Sequence, residues 1–308
     1  MKRISNVIII LVLLFVGYNI LVNSNNVMNV VLFGFDIWKN NIFPTLFPFF
    51  VLSELLINYG FVELLAHFFS PLMQKVFKID GKTSFILFMS MLSGFPSNAK
   101  YVVELLNKNE IDLCSANKIL LFTHFSNPLF IIGTLSIFLN SKKIAILILI
   151  VHYLTNFIIG LIFRNTFISK NNNCKFKEKI PKRFSLAFKD AIIGSIDTLL
   201  LILGTIITFL VITNIINNCL NLNDYFKTII NGMFEMTQGL KYVSITDFSL
   251  KVKSILSVMF LSFGGISVHM QVLSIISDTN LKYQPYLIAR LLHAAIAGIL
   301  MYTLFNFV

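Results

Sequence analysis

The chain has 308 residues, of which 56% are hydrophobic and 13% are charged, and its formal net charge is +11. A soluble domain carries about 25% charged residues, so this composition excludes an ordinary soluble protein. Several apolar runs approach the ~20 residues that a helix needs to cross a bilayer. We therefore predict an all-α polytopic integral membrane protein of the cell membrane.

The N-terminus reads Met1-Lys2-Arg3 and continues into an apolar run that ends near Val22. No small-residue cleavage site follows this run, so we interpret it as a retained transmembrane helix and not as a secretory signal. The predicted organisation is an N-terminal helix (1–26), a first repeat (27–163), a basic loop (164–186) and a second repeat (187–308).

The basic loop separates the two halves of the chain. Its cations are Arg164, Lys170, Lys175, Lys177, Lys179, Lys182 and Arg183. Because Lys and Arg accumulate in cytoplasmic loops, we expect this loop and the N-terminus in the cytoplasm, with an even number of crossings between them. Phe176 is the one aromatic residue at the centre of the loop, which gives no base-stacking platform. The expected partner of this surface is the lipid bilayer and not nucleic acid.

In chain order, polar breaks interrupt apolar segments in both halves. The first is Ser93-Gly94-Phe95-Pro96-Ser97-Asn98, and a second lies at Ser126-Asn127-Pro128, where the proline pushes Asn127 out of the helical region. The other half contains Ser262-Phe263-Gly264-Gly265-Ile266-Ser267. Pro48, within the run 42–57, indicates either a kink or the start of a helix. We count roughly seven to ten membrane segments, some of them re-entrant or broken.

Such breaks have a functional and a purely structural interpretation. In hydrocarbon, freed backbone groups persist only where protein or a wet cavity covers them. A pair of breaks in corresponding places of two halves indicates the solute site of a secondary transporter. The two halves align over short stretches, such as residues 92–97 with 261–267, and we interpret them as two weakly related halves from a distant duplication. The alternative for each single break is a packing kink.

No catalytic or cofactor motif accompanies these features. The chain lacks HExxH, P-loop, GxSxG and GxGxxG patterns, and Cys114, Cys174 and Cys219 have no metal-ligand spacing. We therefore expect no enzyme, no catalytic residue, no metal site and no cofactor.

Five short motifs follow one another along the chain: SGFPSNAK (93–100), SNPLFI (126–131), EMTQG (235–239), FGGISVHMQ (263–271) and PYLIARLLHA (285–294). Together they resemble the nucleoside-recognition (Gate) membrane family, in its branch of stage V sporulation integral membrane proteins. The resemblance implies a fold like that of concentrative nucleoside transporters, and a role in moving dipicolinate or another small solute during spore formation. Ser97-Asn98 departs from the family pattern, which has a second glycine region there.

The candidate solute-binding residues come from these motifs. They are Ser93, Gly94, Pro96, Ser97, Asn98, Lys100, Ser126, Asn127, Glu235, Thr237, Ser262, Gly264, Gly265, Ser267, His269, Gln271, Arg290 and His293. The glycines let backbone approach a ligand, and the hydroxyl and amide side chains supply donors and acceptors for a planar polar solute. Half-helix N-termini at the breaks favour an anion.

The ionisable candidates each have two interpretations. Lys100 and Arg290 could neutralise a carboxylate, and Glu235 could carry a coupling ion, H⁺ or Na⁺. Lys100 could instead snorkel to an interface. Arg290 and His293, three residues apart on one helix face, could pair with Glu235 or with a helix C-terminus. His269 could be a hydrogen-bonded core residue.

Two functions follow. The first is a transporter or gate for a small polar or anionic solute, dipicolinate-like or nucleoside-like and associated with sporulation, in which the halves rock around a midplane site. The alternative is a non-transporting membrane scaffold required for assembly of the spore envelope or cortex. A homo-oligomer is compatible with either.

Overall fold

The computed structural model describes residues 2–167, 181–220 and 222–307, with side chains from residue 6 onward. Within these ranges the regular elements are all helical. The α-helices are α1 (Lys2–Val22), α2 (Ser24–Ile37), α3 (Phe43–Asn58), α4 (Phe61–Leu72), α5 (Thr83–Ser93), α6 (Ser97–Asn107), α7 (Leu113–Phe122), α8 (Ser136–Phe138), α9 (Lys142–Ile162), α10 (Phe184–Cys219), α11 (Asp224–Phe234), α12 (Met236–Ile245), α13 (Leu250–Phe263), α14 (Gly265–Ile276) and α15 (Tyr283–Leu304).

The described residues contain five helical stretches that are long and apolar enough to cross a membrane. They are Ser24–Asn58, Lys142–Ile162, Phe184–Cys219, Leu250–Ile276 and Tyr283–Phe307. Shorter apolar helices cover Asn6–Val22, Thr83–Ser93 and Leu113–Phe122. This architecture confirms the predicted all-α polytopic membrane protein.

One side of the molecule is a wall formed by α2, α3 and α10, which we call the outer wall. Gly34 of α2 permits close contact with α10, since a Cβ there would lie 3.0 Å from side-chain atoms of Ile207 and Leu210. The Trp38 indole donates a hydrogen bond to the Leu199 carbonyl of α10 at 2.9 Å. A π-helical turn (Trp38–Ile42) links α2 to α3 without a gap, and α3 continues through Pro48. The alternative that a helix starts at Pro48 is therefore wrong.

The other side is a bundle in which helices from both halves interlock. The bundle joins α7 and α9 from the first half to α13 and α15 from the second. Small residues allow this packing: a Cβ on Gly298 of α15 would lie 3.0 Å from Met259 of α13. The α11–α12 hairpin crosses itself at Gly232 and Gly239, with the Phe260 ring of α13 against the crossing. The hairpin is thereby fixed to the bundle.

Candidate solute-binding site

Four interruptions between half-helices meet inside the bundle. We call them break 1 (residues 94–96, between α5 and α6), break 2 (residues 123–127, after α7), break 3 (Glu235, between α11 and α12) and break 4 (Gly264, between α13 and α14).

Break 1 is formed by a glycine and a proline. Gly94 has φ of +86°, a left-handed value that a side chain would strain, and the Phe95–Pro96 peptide bond is cis. The freed backbone finds partners nearby. The Phe95 N–H donates to the Phe125 carbonyl of break 2 at 2.7 Å, and the Ser97 N–H donates to the Gly94 carbonyl at 3.1 Å. These backbone groups of break 1 are therefore hydrogen-bonded to protein and not to water.

Break 2 is held by Asn127, which is non-helical as predicted. Its Oδ1 accepts from the backbone N–H of Leu129 at 2.7 Å and so caps the following helical turn. Its Nδ2 donates to the carbonyls of Leu92 and Ser93 at 3.3 Å each, at the end of α5. A Cβ on Gly94 would lie 2.5 Å from the Asn127 nitrogen. Breaks 1 and 2 thus fit directly against each other.

Breaks 3 and 4 form a second pair. Glu235 is extended, and its Oε2 accepts from the Gln238 N–H at 2.9 Å and from the Thr237 hydroxyl, which caps α12. Gly264 and Gly265 have φ of +88° and +71°. A Cβ on Gly265 would lie 3.1 Å from the Met236 nitrogen. The motif 235–239 was identified from the sequence, but the interruption of the helix at Glu235 was not predicted.

The two pairs touch through His124, since a Cβ on Gly264 would lie 3.0 Å from the His124 ring. Beside them is a cavity of about 70 Å³. On the side of the breaks its lining residues are Ser93, Phe95, Pro96, Ser126, Asn127, Phe130, Glu235, Met236, Thr237, Val268 and Gln271. From the outer wall it is lined by Ile37, Asn41, Ile42, Thr45, Leu46, Ile202 and Ile206.

The structure divides the predicted site residues into three groups. Those that line the cavity are Ser93, Pro96, Ser126, Asn127, Glu235, Thr237 and Gln271. Gly94, Gly264 and Gly265 shape the breaks, and Ser97, Asn98, Ser262 and Ser267 are fully buried beside them without lining the cavity. Both amide atoms of Asn98 lack a hydrogen-bond partner among the described residues. The third group, Lys100, His269, Arg290 and His293, lies away from the cavity.

Lys100 faces the outer wall. Its ammonium donates to the Gly194 carbonyl of α10 at 3.0 Å and lies 4.0 Å from the Glu54 carboxylate. It also sits over the Phe50 ring, 4.6 Å from the centroid. In this conformation Lys100 connects α6 to α3 and α10, and it does not reach the cavity.

Arg290 is fully buried among neutral acceptors. Its guanidinium donates to Nδ1 of His293 at 2.7 Å, to Oδ1 of Asn156 at 3.4 Å and to the carbonyl of Leu121 in the last turn of α7. No carboxylate forms an ion pair with it within the described ranges. Of the alternatives above, pairing with a helix C-terminus is the one seen here.

His269 is also hydrogen-bonded within the protein. Its Nε2 lies 3.1 Å from the Phe263 carbonyl and its Nδ1 lies 2.9 Å from the Tyr283 hydroxyl. Carbonyl oxygen only accepts, so Nε2 is the donor, and in the neutral ring Nδ1 then accepts from the tyrosine hydroxyl. This is the arrangement of a core histidine.

The electrostatics of the cavity come from one acid and from helix ends. Among the described residues that line it, Glu235 is the sole ionisable one. Helices α6, α12 and α14 begin at breaks 1, 3 and 4, so their partially positive N-termini lie close to the same place. The site therefore combines one carboxylate, several neutral hydrogen-bonding groups and a positive backbone potential.

Two kinds of site residue were missed from the sequence. Asn41 and Thr45 line the cavity from the outer wall, and their spacing of four residues, which places them on one helix face, was an available signal. His124 and His152 hold the breaks together from behind the cavity. Each is a single histidine in an apolar segment, and no spacing pattern distinguishes them from other core residues.

The position of Arg290 predicts a structural role. We expect Arg290→Met to lower the free energy of unfolding by about 2–5 kcal/mol, because it leaves buried acceptors on three helices without a donor. Thermal unfolding of the detergent-purified protein measures this effect, with Lys189→Met, at an exposed cation of α10, as the control for loss of charge. A variant of unchanged stability that had lost only solute affinity would show that Arg290 binds solute.

Comparisons with known proteins identify the family of this chain. The sequence profile of the Gate family, described as nucleoside recognition, matches residues 41–166, which include breaks 1 and 2. The chain is 32% identical over 311 aligned positions to the sporulation integral membrane protein YlbJ of Bacillus subtilis strain 168, covering 89% of this chain and 76% of that protein. No solved structure matches. The chain therefore belongs to the Gate nucleoside-recognition family, in the sporulation branch that contains YlbJ.

Proposed function

We propose that this sporulation-associated membrane protein is a transporter or gate for a small polar or anionic solute, and that the cavity beside the four breaks is the solute site. The observation that carries the proposal is the meeting of unwound backbone from both halves around one cavity that several polar side chains line. Within a bilayer such backbone is kept only where it is covered or lines a cavity, and transporters use it to bind solutes.

The small size of the cavity supports the proposal that the outer wall and the breaks move relative to each other when solute binds. About 70 Å³ has room for a few water molecules, whereas sites for small organic ligands typically occupy ~300–1,000 Å³. A solute of the size of dipicolinate or a nucleoside would therefore need the cavity to expand. The outer wall contributes mostly apolar residues to the cavity, and among the described residues it forms no hydrogen bond to residues 94–96, 123–127, 235 or 264 in this conformation. We propose that the four breaks and their flanking helices move together against the outer wall. This motion replaces the rocking of the two sequence halves that we expected from the sequence.

The lining groups suit a planar polar solute. Ser126, Asn127, Thr237 and Gln271 supply neutral donors and acceptors, and the helix N-termini favour negative charge. Glu235 opposes an anion while it is ionised, because like charges at short range repel. We therefore propose that Glu235 carries the coupling ion, a proton or Na⁺, and that an anionic solute enters together with it.

We further propose, from the distribution of cations, that the N-terminus and the loop 164–186 are cytoplasmic. The cations between positions 168 and 180 lie outside the described residues.

The cavity assignment predicts a defect from either of its walls. We expect Gln271→Leu, on the side of the breaks, and Thr45→Val, on the outer wall, each to reduce uptake of labelled dipicolinate or nucleoside into proteoliposomes by about tenfold, through loss of hydrogen bonds to the solute. Among the described residues, the Thr45 hydroxyl donates to the carbonyls of Asn41 and Ile42, one turn earlier in the same continuous helical stretch. Thr155→Val of α9 is the matched control, since its buried hydroxyl also bonds within its helix but does not line the cavity.

Unchanged uptake in both cavity variants would show that the solute binds elsewhere. If the wild-type protein transports neither solute, yet cells require it for spore formation, the scaffold function is favoured.

The coupling role predicts a selective defect in Glu235→Gln. This amide retains an oxygen that can cap α12 but binds no proton and carries no charge. We expect solute exchange between liposome interior and medium to continue, while accumulation driven by a proton or Na⁺ gradient is lost. Glu54→Gln on α3, whose carboxylate lies outside the cavity, is the control. Gradient-driven accumulation by Glu235→Gln would exclude Glu235 as the ion carrier.

The proposed orientation predicts the labelling of Cys174. In a variant in which Cys114 and Cys219 are replaced by serine, we expect an impermeant maleimide to label Cys174 in inside-out vesicles and not in intact cells. Labelling in intact cells would place the loop outside.

A further inference from the structure

His152 of α9 forms hydrogen bonds both to break 2 and to the end of α13, just before break 4. Its Nε2 lies 3.0 Å from the backbone nitrogen of Ser126 in break 2, and its Nδ1 lies 3.1 Å from the hydroxyl oxygen of Ser262, two residues before break 4. His152 and Ser262 are fully buried, and Ser126 is 2% exposed. The imidazole thus bridges a break of the first half and the helix end that leads to a break of the second.

The partners determine the protonation of this ring. A backbone N–H only donates, so Nε2 of His152 must be an unprotonated acceptor. The neutral ring then carries its proton on Nδ1 and donates to Ser262. A ring protonated on both nitrogens could not accept the hydrogen bond from Ser126.

A second layer fixes the position of the bridge. Nε2 of His293 lies 3.1 Å from the His152 carbonyl and is its donor, while Nδ1 of His293 accepts from Arg290 at 2.7 Å. The rings of His152 and His293 are stacked, with centroids 4.8 Å apart. The Arg290 cation lies directly behind His293 and disfavours a second positive charge in this layer.

We propose that His152 is a positioning residue of the solute site: its neutral imidazole holds Ser126, which lines the cavity, in register with break 4. The proposal rests on the proposed function in that Ser126 belongs to the solute site. It assigns to His152 no contact with the solute. Its two nitrogens have separable tasks, Nε2 for Ser126 and Nδ1 for Ser262.

That separation gives a matched pair of variants. The amide of glutamine reaches about as far as Nε2 and can accept from Ser126, whereas the amide of asparagine reaches only as far as Nδ1 and can bond only to Ser262. His152→Leu retains neither bond. Thr155→Val, three residues further along the same helix, is the control for a buried change in α9.

The first measurement does not depend on transport. Hydrogen–deuterium exchange, read at the Ser126 amide in nanodiscs, should be about tenfold faster or more in His152→Leu and His152→Asn than in the wild type, because the amide has lost its acceptor. His152→Gln and Thr155→Val should stay close to the wild-type rate. Equal protection of this amide in all the proteins, or the same loss in the Gln and Asn variants, overturns the proposal.

The second measurement separates positioning from general stability. With labelled dipicolinate or nucleoside in proteoliposomes, we expect His152→Leu and His152→Asn to raise the KM for uptake by about tenfold with a smaller change in maximal rate, and His152→Gln to restore the KM. A KM that is unchanged in His152→Leu overturns the positioning role. If the wild type transports nothing while the exchange pattern holds, the solute function fails and the anchoring of Ser126 by His152 stands.

Discussion

The structure depends on the requirement that backbone groups freed by a break in a helix find partners without water. In hydrocarbon an unsatisfied N–H or C=O group costs several kcal/mol, so an isolated break at that depth is unfavourable. Here the Phe95 N–H of break 1 donates a hydrogen bond to the Phe125 carbonyl of break 2, and the Asn127 side chain of break 2 donates to carbonyls at the end of α5. The breaks stabilise one another, which explains why segments far apart in sequence meet at one place.

The same requirement explains the polar layer behind the cavity. His152 accepts from the Ser126 amide, and Arg290 donates to the Leu121 carbonyl near the end of α7. Hydrogen bonds from a charged donor are stronger than neutral ones, and a buried guanidinium with several acceptors is better tolerated than one with few. The charge of Arg290 thus contributes to holding the end of α7, next to break 2.

The positions of most breaks could be predicted from the sequence, whereas the directions of the side chains around them could not. Glycine and proline change the local backbone directly, so breaks 1, 2 and 4 were predictable from Gly94, Asn127-Pro128 and Gly264. The direction of a side chain depends on the packing of neighbouring helices, which no short pattern encodes. Lys100 lies within the motif of break 1 and Arg290 within the last of the five motifs, yet one faces the outer wall and the other α7. Break 3 was missed because Glu235 caps α12 without any glycine or proline.

The satisfied breaks in turn constrain any motion. To separate break 1 from break 2, or break 2 from the end of α13, would remove hydrogen bonds from buried backbone groups, each at a cost of about 1–3 kcal/mol. The contact of the cavity with the outer wall is mainly apolar, through side chains such as Ile37, Leu46, Ile202 and Ile206. Apolar surfaces can shift against each other without leaving a donor or acceptor unpaired. The boundary between bundle and outer wall is therefore the one at which the cavity can open while the breaks remain intact. Such a motion would have to break the polar contacts that cross this boundary, which include Lys100 with Gly194, Thr213 with Gln238 and Asn217 with Asn231.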